Sequence, residues 1–249
     1  MPKLNMKQRL KMTSLHILFS IMLLFIALLF VYRVWYPFPL DIAVGVTSIY
    51  LILLAVDLIV GPLLTFVIYK EDKKKLKFDL TVIFILQFGA YIFGLYTLAQ
   101  GRPVWQVFVV DDIELISPSD IKKTLDYEMK VEFSPSIFKQ PQWVAAVYSD
   151  NPKKMQQQKE DEMFEGINIS ARPETYQNLG QKQQAILDKI KPLNELEEFN
   201  SDQLVLKNIL QAYPQAIGWL PVKAPEQDMV ALFDKSGQPI KVVNLRPWD

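Results

Sequence analysis

Between Asp41 and Lys70 the chain carries a single charge, Asp57, in a stretch that is otherwise long and apolar, AVGVTSIYLILLAVDLIVGPLLTFVIY over Ala43–Tyr69. About 20 apolar residues cross a bilayer as a helix, so a stretch of this length and composition is a membrane span before it is anything else. A lone carboxylate at mid-depth costs about 2.5–3.5 kcal/mol on insertion scales, and it must face protein or water rather than lipid. Gly61-Pro62 follows one turn later. Pro62 has no N–H for the carbonyl of Leu58, so a kink is expected, and in lipid the freed carbonyl needs another partner. Such a span is built to touch something.

Two further runs frame it. The first is uncharged from Met12 up to Arg33 apart from His16, and it ends in Trp35-Tyr36-Pro37-Phe38-Pro39. A cleaved signal peptide has a shorter core and small residues at its cleavage site. Val31, Tyr32, Val34 and Trp35 are bulky, which points to an uncleaved signal anchor, and no Gly-Phe junction with a following glutamate marks a prepilin leader. Trp35 and Tyr36 suit the membrane–water boundary, Arg33 can snorkel to it, and the prolines stop the helix. The third run, Leu80–Gly101, is uncharged and holds Ala90 and Gly94 four residues apart. They share one helix face and permit close helix contact.

The neutral total hides an asymmetry that orients these spans. Lys3, Lys7, Arg9 and Lys11 precede the first with no acid among residues 1–13, and five lysines sit in the 70–79 loop. Both segments are therefore expected in the cytoplasm. The 33–42 turn and everything after residue 100 then lie outside the inner membrane, in the periplasm of a Gram-negative cell. The expected organisation is a cytoplasmic basic tail (1–13), spans at 14–36, 43–69 and 80–101, a cytoplasmic loop (70–79), and a periplasmic α+β domain (102–249). From Gln100 onward 17 basic and 22 acidic residues leave a net −5, which offers nucleic acid no basic patch. The absence of cysteine removes disulfides and thiolate chemistry.

In the tail, Gly101-Arg102-Pro103 leads directly into VWQVFVV, which reads as a buried strand. Ser117-Pro118-Ser119-Asp120 has the form of a helix start. Met129–Phe133 and Trp143–Tyr148 read as strands. Asp150-Asn151-Pro152 opens a very polar helix that Gly166 closes, a second helix covers about Gln181–Lys191, and Ser201 or Asn200 caps a third. That third helix has Leu206, Ile209, Leu210 and Tyr213 available for a core. Strands follow at Ala216–Pro221, Met229–Phe233 and Ile240–Leu245, the last two joined through Asp234-Lys235-Ser236-Gly237 as a hairpin.

No P-loop, nucleophile elbow, zinc-protease motif or glycine fingerprint occurs, so no enzyme and no cofactor is expected. His16 reads as an ordinary interfacial side chain, and Glu160-Asp161-Glu162 as a solvated helix face. Asn168-Ile169-Ser170 matches a glycosylation acceptor, which matters only in a eukaryotic secretory pathway. Asp57 carries two readings. At about 1.5 Å per residue from Lys70 and Phe78, Asp57 and Tyr91 lie at similar depth, with Gln87 about a turn away. A protonated Asp57 bonded to Tyr91 or Gln87 would be an internal clasp; alternatively Asp57 meets a polar group on a partner's transmembrane helix. Ion conduction is the thinner option, with one acid in three spans.

The order of features resembles the TfpX/TfpZ (FimB-like) type IV pilin accessory proteins: Trp35-Tyr36-Pro37-Phe38-Pro39-Leu40, then Asp57-Leu58-Ile59-Val60-Gly61-Pro62-Leu63-Leu64-Thr65. The loop ending Leu76-Lys77-Phe78-Asp79-Leu80 follows, then Arg102-Pro103-Val104-Trp105, Leu220-Pro221, Asp228-Met229-Val230 and Pro247-Trp248. The likeness covers essentially the whole chain, is densest in the second span and is thin over 134–215. It implies a non-enzymatic accessory or chaperone-like role in pilus assembly and twitching motility. The implied partners are the major type IV pilin, through its membrane helix and periplasmic head, and the pilus assembly machinery. From the chemistry of the spans, Asp57, Gly61, Pro62, Gln87, Ala90, Tyr91 and Gly94 are the residues expected to contact such a partner helix. Pilin's membrane helix carries an acid of its own, so a shared proton or a bond to backbone or amine is what remains for Asp57. The competing class is a periplasmic sensor, for which the cytoplasmic parts offer no output element.

Overall fold

The computed structural model describes residues 6–69, 74–122 and 128–248. The first five residues of the basic tail, the first four of the 70–79 loop and any continuation past Lys122 of the helix expected from Ser117 lie outside the described residues. Helix α1 (Met6–Phe30) runs on through a π turn, Val31–Trp35, and a short α2 (Leu40–Ala43) follows. Then come α3 (Val46–Ala55), a second π turn at Val56–Val60, α4 (Gly61–Ile68) and α5 (Leu76–Gly101). Three helical stretches, Met6–Trp35, Val46–Ile68 and Leu76–Gly101, are long and apolar enough to cross a membrane. The shortest has 23 residues, about 35 Å at 1.5 Å per residue, against a hydrocarbon core of about 30 Å.

By contact the chain divides into two compact units, Met1–Arg33 with Val46–Gln100, and Val34–Gly45 with Gly101–Asp249. The first is the helical unit. Its helices are fastened by polar side chains that reach the backbone of a neighbour. The Tyr50 hydroxyl donates to the Leu24 carbonyl at 2.6 Å and that of Tyr91 to the Leu23 carbonyl at 3.1 Å. Arg9 donates to the carbonyls of Tyr69 (2.6 Å) and Val67 (3.1 Å). These carbonyls stand at the end of α4, where a cation complements the helix dipole.

The second unit is an α+β domain on one mixed sheet. Its strands are β1 (Trp105–Val109), β2 (Asp112–Ile116), β3 (Gln142–Ala146), β4 (Tyr176–Asn178), β5 (Lys191–Pro192), β6 (Ala216–Lys223), β7 (Met229–Asp234) and β8 (Pro239–Val243). The order is β4-β3-β1-β2-β6-β7-β8, with β5 also on β6. The β1–β3 and β2–β6 pairs are parallel and the rest antiparallel. Side-chain alternation sorts the strands into two faces. Phe108, Ile113, Leu115, Ala145, Leu220, Val222, Met229, Ala231 and Phe233 form a core on one face, together with Leu40 and Ala43 of α2. The opposite face carries a cluster of Trp105, Val107, Val144 and Tyr176 and a second of Trp219, Val230 and Leu232.

The turn between the first two spans is thus part of the domain's interior. Ala43 is fully buried, and its carbonyl accepts from the backbone N–H groups of Glu226 (3.0 Å) and Gln227 (3.1 Å). Gly45 leaves the segment at φ +66°, where a Cβ would press on the Glu226 side chain at 3.3 Å. The helix of the second candidate span accordingly begins at Val46, three residues after the expected start at Ala43.

Helices α6 (Pro152–Glu165), α7 (Gln183–Leu187), α8 (Leu196–Phe199) and α9 (Gln203–Ala212) complete the unit. The polar helix α6 has the expected ends: the Asn151 side chain accepts from the N–H groups of Lys153 and Lys154, and Gly166 is left-handed at φ +64°. The β7–β8 hairpin also forms as expected, with Asp234 Oδ1 accepting from Ser236 and Gln238. Four expectations are corrected. Ser117–Asp120 is a turn that does not continue as a helix, because the Lys122 N–H donates to the Ala171 carbonyl at 3.1 Å rather than back along the chain. Met129–Phe133 is not a strand: a 3-10 turn covers Val131–Phe133, Val131 is exposed, and the Phe133 carbonyl accepts from the Trp105 indole at 2.9 Å. The second helix is only Gln183–Leu187, since Lys191 and Pro192 pair with β6. The third is capped by Asp202, whose Oδ1 accepts from Leu204 and Val205; Asn200 is instead held by the backbone of Arg246.

Candidate functional site

The break expected at Pro62 takes the form of the π turn Val56–Val60. The Gly61 N–H donates to the carbonyl of Val56, five residues back. The wider turn takes up the place where a proline in the helix interior would cost a hydrogen bond and clash. Asp57 stands in this turn, 4% exposed, and α4 begins directly after it with Gly61 and Pro62, both buried.

Opposite Asp57 on α5 is Gln87. Its amide nitrogen donates to the Asp57 carbonyl at 3.0 Å. Gly61 makes that reach possible: a Cβ there would fall 2.1 Å from the Gln87 amide atoms. Two turns on from Gln87, Gly94 receives the Leu53 side chain in the same manner, with a Cβ 2.1 Å from Leu53 Cδ1. Tyr91 lies between these contacts, bonded to the Leu23 carbonyl. Six of the seven expected contact residues, Asp57, Gly61, Pro62, Gln87, Tyr91 and Gly94, are therefore engaged inside the helical unit. Ala90 is exposed.

The Asp57 carboxylate remains. Among the described residues neither of its oxygens has a hydrogen-bond partner of ordinary geometry, and neither does Gln87 Oε1. They line a cavity of about 30 Å³ shared with His16, Ser20 and Tyr91, large enough for a water molecule. Phe19, Phe84 and Phe88 also line it and are 42%, 52% and 47% exposed, with the last two stacked at 5.9 Å. The arrangement is a buried acceptor set behind an aromatic rim, between α1 and α5. Chemically it can take a hydrogen-bond donor from outside the bundle.

His16 was expected to be interfacial. It bonds through Nδ1 to Thr65 Oγ1 at 2.7 Å and lines the cavity. The signal was present in the spacing, since His16 and Ser20 are four residues apart on one face of α1.

The second unit holds a wider cleft, about 950 Å³, between α6 and the β3–β4 end of the sheet. Arg172 is buried there and pairs with Asp161 and with Glu174 at 3.6 Å. Tyr148 bonds to Glu162, and burial with that bond pushes the phenol up to about 12. Of the three consecutive acids on α6, Asp161 and Glu162 are thus tied to residues outside the helix, and Glu160 accepts from the Gln156 amide on α6 itself. Among the described residues no group of three or more His, Asp or Glu side chains could hold a metal ion.

A family profile described as fimbrial assembly protein FimB matches residues 4–45. The fimbrial assembly protein of serogroups C1 and C2 of Dichelobacter nodosus is 33% identical over 113 residues, which are 45% of this chain and 86% of the relative. The chain belongs to the FimB family of fimbrial assembly proteins. The serogroup E1 fimbrial assembly protein of Dichelobacter nodosus extends the likeness, at 26% identity over 193 residues, to 74% of this chain and 72% of its own. No solved structure matches. The FimB profile lies on the first span and on the 34–45 segment up to Gly45, so it includes the piece of chain that enters the domain's interior. The resemblance read from the residues was densest one span later.

Proposed function

We propose that this FimB-family chain is an inner-membrane accessory for type IV pilin, supporting pilus assembly and twitching motility by contacting the membrane-held pilin subunit. The observation that carries this reading is the Asp57 carboxylate, which has no hydrogen-bond partner among the described residues, behind the rim of Phe19, Phe84 and Phe88. An unpaired acid in a span is expensive and marks a functional contact by default. In this reading the pilin helix seats across the rim and supplies the missing donor, while Gly61, Pro62, Gln87, Tyr91 and Gly94 hold the wall behind it in shape. The second unit meets the pilin head. Two modest contacts on one partner in the same membrane reinforce each other through effective concentration.

Lys7, Arg9 and Lys11 precede the first span, and Lys74, Lys75 and Lys77 stand at the start of the third. The charge rule then favours a cytoplasmic amino terminus and a periplasmic second unit. The role is to hold a partner, with no bond made or broken.

Co-purification of pilin with the full chain tests the reading. Interhelical hydrogen bonds in membranes average about 0.6 and reach about 1.7 kcal/mol, so Asp57→Ala is expected to weaken pilin recovery roughly three- to twentyfold. Surface piliation should fall with it. Unchanged recovery and unchanged piliation would remove Asp57 from the interface.

A further inference from the structure

Two span ends belong to the second unit. Trp35 is the last residue of the first span's helix, and Arg102 directly follows Gly101, the last residue of the third. The Arg102 guanidinium lies 5.7 Å from the centre of the Trp35 ring. The Trp35 indole N–H also donates to the carbonyl of Ile137 at 2.8 Å. A loop 102 residues away in sequence is thereby pinned to the point where the first span ends.

That loop turns its apolar side chains outward. Ile137 is 47% exposed and Phe138 76%, and Lys139 beside them is exposed as well. In water such a pair leaves apolar area unburied. Tryptophan at the end of a span marks the boundary between acyl chains and headgroups. An isoleucine whose carbonyl touches that indole, and the phenylalanine after it, stand within a residue's length of this boundary. A ring followed by a lysine suits it: the ring enters the acyl region, and the ammonium stays among the headgroups.

We propose that the Ile137-Phe138-Lys139 tip is a membrane-interface anchor. It inserts into the lipid face at which the first span ends and adds a fourth point of attachment to the three spans. Nothing in this depends on which protein Asp57 meets.

The chain has no cysteine, so Phe138→Cys, Ile137→Cys and Met163→Cys each create one site for a spin label. Met163, on α6, is as exposed as Phe138, at 76%. The full-length variants are reconstituted in phosphatidylethanolamine–phosphatidylglycerol vesicles, and the labels are relaxed with oxygen and with a water-soluble nickel chelate. Labels at 137 and 138 are expected about 5–10 Å inside the phosphate plane, relaxed by oxygen and severalfold less by nickel than the label at 163. Nickel accessibility at 137 and 138 equal to that at 163 would overturn the proposal. Labels there shielded from both relaxants would overturn it too, since protein rather than lipid would then cover the tip. The two adjacent positions give separate readings should one variant fail to reconstitute.

Discussion

At the scale of single residues, the helical unit depends on what glycine leaves out. Gly61 provides the notch that lets the Gln87 amide reach the Asp57 carbonyl, and any Cβ would occupy the place of that amide. Gly61→Ala is expected to destabilise the detergent-solubilised chain by about 1–3 kcal/mol, the usual range for an overpacked interior. Thermal unfolding measures this. In a Gln87→Ala background the same substitution should cost much less, because the group it collides with is gone. Equal costs in both backgrounds would mean that the notch serves something other than Gln87. The depth count along the spans brought Asp57, Gln87 and Tyr91 together from sequence alone, since helical rise is nearly constant. It could not tell that Gln87 would choose a backbone carbonyl over the carboxylate, because that choice rests on the π turn and on the space at Gly61.

At the scale of elements, the short segment between the first two spans does more than turn the chain. Leu40 of α2 is 4% exposed among Phe108, Leu220 and Met229, so it fills the domain's core from outside the domain's own stretch of sequence. Leu40→Ala is expected to cost the second unit about 2–5 kcal/mol, read as earlier loss of protease resistance in the tail. Phe38→Ala, at a position 62% exposed, should leave that resistance unchanged. Elements decided by local chemistry were legible in the sequence: α6 between Asn151 and Gly166, β1 by its β-branched and aromatic run, and the β7–β8 hairpin by its Asp-to-Gly turn. Those decided by distant partners were not. Strands β4 and β5 are three and two residues long, too short to carry a period. Asn200 loses the capping role to Asp202 because Arg246, 46 residues on, takes its side chain. Leu40 reads as part of a turn and Ala43 as the first residue of the second span, because nothing near them in sequence announces the core they join.

At the scale of the whole molecule, three apolar helices and an α+β unit give a FimB-family chain an anchor and a body, and the anchor carries the unsatisfied group. In the proposed reading the rim of Phe19, Phe84 and Phe88 is where a partner helix would reach it, whereas Phe93, 70% exposed on the same helix α5, does not line the cavity. The most direct measurement is photo-crosslinking in intact piliated cells, with a photoreactive phenylalanine analogue placed at position 19, 84, 88 or 93 of the full chain. A pilin adduct is expected from the three rim positions and not from 93. Rim positions that yield no pilin adduct, or no more than position 93 does, would contradict the central claim that this cavity is where the chain meets its pilin.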